Sequence, residues 1–141
     1  MSIWLTHTTP EAVQQMLGTG LMEHLGIRIT TIGEDWIAAT MPVDPRTRQP
    51  AGLLHGGASV ALAESIGSIG AYLCIDRSRY ELVGTEINAS HLRAVQAGHV
   101  TGTARPLRVG RRQHVWQIDI TDEQQRLTCV SRLTMAILDK R

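Results

Sequence analysis

A chain of 141 residues suits one domain and leaves little room for a second, so a single domain over residues 1–141 is predicted. Hydrophobic residues, at 43%, suffice for a core, but there is no Phe, and only Trp4, Trp36, Trp116, Tyr72 and Tyr80 are aromatic. The interior must therefore be aliphatic, with surface left to bury against further copies. A net charge of +1 excludes a strong general affinity for nucleic acid or membrane.

Thr9 is a good N-cap for a helix opening at Pro10, with Val13, Met16 and Leu17 as its apolar stripe and Gly18 and Gly20 as its end. Ile27 to Ile32 and Trp36 to Met41 read as two strands of a hairpin turning at Gly33-Glu34-Asp35. Pro42 to Leu54 is turn-rich and polar. His55 to about Cys74 then reads as one long helix rich in Ala, Gly and Ser, with Leu62, Ile66, Ile69 and Leu73 as its larger apolar groups. Gly67 and Gly70 each cost about 1 kcal/mol of helix propensity, which makes sense if something packs tightly around that helix. Four strand-like segments follow, Leu82 to Leu92, His99 to Leu107, His114 to Thr121 and Leu127 to Leu138, read as a meander. Strands gathered after one central helix predict an α+β domain, an antiparallel sheet wrapped around that helix.

Cys74 and Cys129 lack CxxC spacing and read as reduced, cytosolic thiols. No apolar leader and no membrane-length run is present, so the cytoplasm is the expected compartment. His7, His24, His99 and His114 have no metal-ligand spacing, and no metal is expected.

Chemistry concentrates in Gln49 to Ser68. His55-Gly56-Gly57 opens the long helix, where backbone N–H groups are unpaired and the potential is positive. Glycine there lets a carbonyl approach closely, which suits an oxyanion; the plainer reading is a tight loop into a helix. Glu64 falls two turns further on among Leu62, Ala63 and Ile66, and a carboxylate buried in such company is costly unless used or paired. Its plainer reading is a solvent-facing helix residue. Ser68, at i+4, shares the Glu64 face. Gly56 and Glu64 are eight residues apart, about 12 Å along a straight helix. If both act on one carbon, Glu64 must come from a second copy of the chain.

Gln49, His55-Gly56-Gly57, Glu64 and Ser68 at these spacings, with Met41-Pro42-Val43-Asp44 and Gly84-Thr85-Glu86-Ile87-Asn88, resemble the hotdog-fold acyl-CoA thioesterases of the phenylacetate-degradation type. The wording is closest to the branch serving menaquinone and enterobactin synthesis, over Trp4 to Leu138. Ala51 departs from that branch, which carries Phe there, and bears on the shape of the acyl pocket.

The resemblance implies hydrolysis of an aromatic acyl-CoA, of the 1,4-dihydroxy-2-naphthoyl or benzoyl kind, without a cofactor, since coenzyme A is part of the substrate. It implies Glu64 as nucleophile or general base, the Gly56 N–H on the thioester oxygen, and Gln49 and His55 around that group. Ser68 would place water or acyl group, Ile69 would shape acyl selectivity, and Gly84 would lie on the substrate side. Coenzyme A would meet His91 and Arg93 at a strand end, and Arg108, Gly110, Arg111 and Arg112 at a turn whose guanidinium groups can reach phosphates. The partner would be a further copy, in a dimer of dimers. Two other readings stand beside this one: a thioesterase acting on carrier-protein thioesters, and a non-catalytic acyl-CoA sensor, against which Glu64 counts.

Overall fold

The computed structural model describes residues 1–141. Helix α1, Pro10–Met16, starts where predicted: Thr9 Oγ1 accepts from Ala12 N at 3.2 Å, and Pro10 occupies the first turn. Val13 is its one buried residue, while Met16 of the expected stripe lies over half exposed. A one-turn helix, α2 over Leu21–His24, follows without any signal that predicted it. Strands β1, Arg28–Ile32, and β2, Ile37–Pro42, form the expected hairpin, closed by Gly33 N donating to Trp36 O at 2.8 Å.

Helix α3, Gly56–Leu73, is the long central helix. Strands β3, Tyr80–His91, β4, His99–Val109, β5, Gln113–Thr121, and β6, Leu127–Asp139, complete one antiparallel sheet in the order β1-β2-β4-β5-β6-β3. The four-stranded meander is thus corrected. Only β4-β5-β6 run as neighbours, and β3 crosses to the far side of β6, pairing from Tyr80 with Asp139 to His91 with Cys129. Alternation tells which face a residue takes but not which strand it meets. The crossing loop, 92–98, passes over the start of α3: Leu54 N donates to Val95 O at 2.8 Å, and Arg48 Nη2 donates to Gln96 O at 2.9 Å.

The sheet curls around α3, and the residues that let it close in are glycines. A Cβ at Gly70 would lie 2.7 Å from the Trp116 ring, and one at Gly67 would lie 2.7 Å from Leu133. Trp116 is fully buried and stacks on Trp4 with centroids 6.2 Å apart. Two of the five aromatics thus sit in the core, Trp116 at the helix–sheet contact, and Leu62, Ile66, Ile118 and Ile120 fill the rest. No helix is long and apolar enough to cross a membrane.

Candidate active site

The loop into α3 is built by backbone bonds around Thr47, which is buried. Its hydroxyl donates to Pro42 O at 2.7 Å, and its carbonyl accepts from His55 N at 2.8 Å. Within the loop, Gln49 N donates to Leu53 O, Gly52 takes φ +84°, and Gln49 Oε1 accepts from Ala51 N. His55 is the N-cap, its Nδ1 accepting from Gly57 N at 2.7 Å. That cap uses the second helical amide. The Gly56 N–H ahead of it has no acceptor in the helix or the surrounding loop. It is an unspent donor at the positive end of an 18-residue helix, as an oxyanion requires.

The His91 ring packs on Gly56 so closely that a Cβ there would lie 2.8 Å from His91 Nε2. A cavity of about 380 Å³ opens beside them, with Gln49, Leu53, Gly56, His91, Arg93 and Thr128 in its wall. The structure therefore brings Gln49, Gly56, His91 and Arg93 together, with His55 as cap.

Glu64 is half-buried and none of the chain's ion pairs includes it. Its Oε1 faces Gly84 on β3: a Cβ at Gly84 would lie 3.1 Å from that oxygen and 3.7 Å from Met135 Sδ. Ser68 Oγ lies 3.7 Å from the same sulfur. Glu64, Gly84 and Ser68 thus share one face, and Ser68 and Ile69 continue into a second cavity, of about 260 Å³ and mostly apolar. Ser65, by contrast, is spent on Ala61 O at 2.6 Å.

One chain keeps these two groups apart. Gly56 and His91 lie at the sheet end where His91, Cys129, Ile120 and Gly102 align across strands. The turn carrying Arg108, Gly110, Arg111 and Arg112 lies at the opposite end, about 30 Å away along the nine residues of β5. All three of its arginines are exposed, Arg112 pairing with Asp139 at 3.1 Å, and Gly110 N closes the turn on Gln113 O at 2.9 Å. Within one protomer, then, the two sets expected to meet coenzyme A do not meet each other.

No thiol competes with Glu64. Burial pushes the Cys74 thiol up to about 12, and burial, with Asp119 nearby, raises Cys129 as well, so both stay protonated near neutrality. No cluster of three His, Cys, Asp or Glu forms. Tyr72 escaped the sequence reading, although it lies at i+4 from Ser68 on the same helix face; that spacing was its signal. The contact of His91 with Gly56 had none.

A six-stranded antiparallel sheet wrapped around one long helix defines the hotdog class of fold. Residues 51–129 match the family model described as the thioesterase superfamily. The chain is 54% identical over 136 residues to 1,4-dihydroxy-2-naphthoyl-CoA hydrolase of Escherichia coli strain K12, covering 96% of this chain and 99% of that protein. It is 53% identical over 136 residues to the proofreading thioesterase EntH of Cronobacter turicensis, covering 96% and 98%. A crystal structure of a mutant thioesterase from Pseudomonas aeruginosa, 44% identical, superposes with a TM-score of 0.96 over 99% of this chain and all of that one. The chain belongs to the thioesterase superfamily, and it is a thioester hydrolase.

Proposed function

We propose that the protein hydrolyses an aromatic acyl-coenzyme A, of the 1,4-dihydroxy-2-naphthoyl or benzoyl kind, at sites shared between two copies. The observation that carries this is the separation of the free Gly56 amide from Glu64. Eight helical residues put about 12 Å between them, too far for one carbonyl to touch both in the same chain. The Gly56 N–H of one copy would hold the carbonyl oxygen, with Gln49 and His55 beside it. Glu64 of the other copy would take a proton from the water that adds to the carbonyl carbon. The tetrahedral oxyanion would then collapse, breaking the C–S bond, and Glu64 would return its proton to the departing sulfur, releasing coenzyme A as the thiol and the free acid.

Strand β3 offers the joint, since its outer edge is unpaired over twelve residues, and such an edge is a template for another strand. A two-fold axis near Asn88 would put Gly84 opposite the partner's His91, and so bring Glu64 to the partner's Gly56. The same axis would set the partner's Arg93 at the end of this chain that carries Arg108, Arg111 and Arg112. The clusters that one protomer separates would then flank one molecule of coenzyme A. The full assembly would be a dimer of such dimers.

The identity with 1,4-dihydroxy-2-naphthoyl-CoA hydrolase supports the aromatic acyl group. The comparable identity with a proofreading thioesterase supports the second reading, a carrier-protein thioester as donor. A hydrolysis screen over aromatic and aliphatic acyl-CoAs and their carrier-protein counterparts, followed by thiol release, ranks the donors. Shared sites are tested by mixing a Gln49→Ala variant with a Glu64→Gln variant. Each is expected to be inactive alone, and the mixture should regain activity because one site of a mixed dimer receives both native residues. No recovery despite mixed dimers would put the whole site in one chain.

A further inference from the structure

Past Glu64, the cavity of about 260 Å³ runs between α1 and the start of β3, with Val13, Leu17, Ile69 and Leu82 in its wall. It lies beside the candidate carboxylate along α3, with Ser68 of its wall one turn beyond Glu64. Glu64 Oε1 faces Gly84, Gly84 borders Met135 Sδ, and Ser68 Oγ, in the cavity wall, lies 3.7 Å from that sulfur. Tyr72 stands one turn beyond Ser68, eight residues and about 12 Å along α3 from Glu64.

The Tyr72 ring is held from outside the cavity. Arg77 Nη1 donates to the Tyr72 hydroxyl, and the guanidinium carbon lies 4.5 Å from the ring centroid. Arg77 is itself fixed by its loop. Ser78 N and Oγ both donate to Asp76 Oδ1, at 3.0 and 2.6 Å, and Lys140 Nζ donates to the Arg77 carbonyl at 2.6 Å. With its hydroxyl taken and its ring covered, Tyr72 offers the cavity an apolar surface that cannot swing aside freely.

We propose that Tyr72, clamped by Arg77, is the end wall of the acyl subsite and sets the longest acyl group the protein accepts. This rests on the reading of Glu64 as the carboxylate of an acyl-CoA hydrolase. The acyl group lies along α3 from Glu64, past Ser68 and Ile69, and stops on the ring. Arg77 acts through Tyr72 and is a positioning residue.

The test is the ratio of kcat/KM for tetradecanoyl-CoA to that for hexanoyl-CoA. Tyr72→Ala should raise the ratio about tenfold or more, because methylenes rejected by the wild type are then accommodated. Arg77→Ala should raise it by a smaller factor, since the ring remains but is released. Tyr72→Phe keeps the ring under the guanidinium and should leave the ratio within about twofold of wild type. An active Tyr72→Ala protein with the wild-type ratio overturns the end wall, as does an equal loss on both thioesters. Should Tyr72→Ala fail to fold, Arg77→Ala decides, because it removes a half-buried side chain outside the cavity and leaves the cavity wall intact; an unchanged ratio there overturns the proposal. A wild type and a Tyr72→Ala variant that both hydrolyse benzoyl-CoA but neither aliphatic thioester overturn the end wall alone. Wild-type turnover of benzoyl-CoA is the separate control. Its absence, with every other acyl-CoA also untouched, overturns the functional reading and the end wall with it.

Discussion

Glu64 sits in α3 without a cation to neutralise it, and a half-buried carboxylate left that way contributes nothing to stability that would explain its presence. Glu64→Gln keeps the shape and removes the anionic oxygen that accepts a proton. The expected outcome is a fall in kcat of about 10² to 10⁴, with KM little changed, in steady-state assays on the best acyl-CoA. His114 behaves differently. It is 2% exposed, and burial holds its imidazole below the ordinary 6.5, opposed by the Gly110 carbonyl. Above pH 6.5 both folded and unfolded states leave it neutral, and it costs nothing there. As pH falls below that value, the unfolded chain gains a proton that the fold refuses, so stability drops until the folded value is passed. Thermal unfolding between pH 7.5 and about 5 should show a steeper fall in Tm for wild type than for His114→Gln, which has no such proton to bind. Residue type and spacing singled out Gly56, Glu64 and Ser68 as candidates before any fold was known, and the family resemblance added Gln49. The packing of His91 on Gly56 was not legible, because the two come together only through the pairing of β3 with β6.

Local signals located the elements well. The Thr9 cap, the hairpin at Gly33 and the long helix fall within a residue or two of expectation, since each depends on neighbours in the chain. Strand order did not follow, because β3 chooses between β4 and β6 on contacts distant in sequence. The glycines of α3 were legible as a demand for close packing, and the structure identifies what demands it. Replacing Gly70 by Ala would gain about 1 kcal/mol of helix propensity. It would also drive a methyl to 2.7 Å from Trp116, a ring backed by Trp4 with nowhere to go. Overpacking of that kind costs about 1–3 kcal/mol, so the clash wins. Urea unfolding should find Gly70→Ala less stable than wild type; a gain in stability would mean that the helix and sheet are free to move apart.

Across the whole molecule, the two ends of α3 differ in kind. One carries the free amide and the His91 cavity, the other the acyl cavity and the arginine turn. Arg111 is exposed and without an acidic partner, so it is the plainest probe of phosphate binding. A lost charge-assisted hydrogen bond is worth about 1.5–3 kcal/mol, roughly ten- to hundredfold in binding, and solvent at so exposed a site favours the lower end. Arg111→Ala should therefore raise KM for acyl-CoA about tenfold with kcat unchanged, and leave thioesters lacking the nucleotide unaffected. Equal effects on both would assign the side chain to folding.

The passage of β3 past β4 to β6 also governs how the chain can be made. On the ribosome, β3 is complete before any strand able to pair with it in the chain exists, and it must wait for residues 92 to 126 to be synthesised. Until then α3 is covered only by the β1–β2 hairpin and by β4 and β5 as they emerge, and β3 is open on both edges. Contacts of that sequence separation close late and slowly. The nascent protein is thus held open to chaperones and to sister chains until its last strand arrives, and losing β6 by early termination would strip the sheet of β3 altogether.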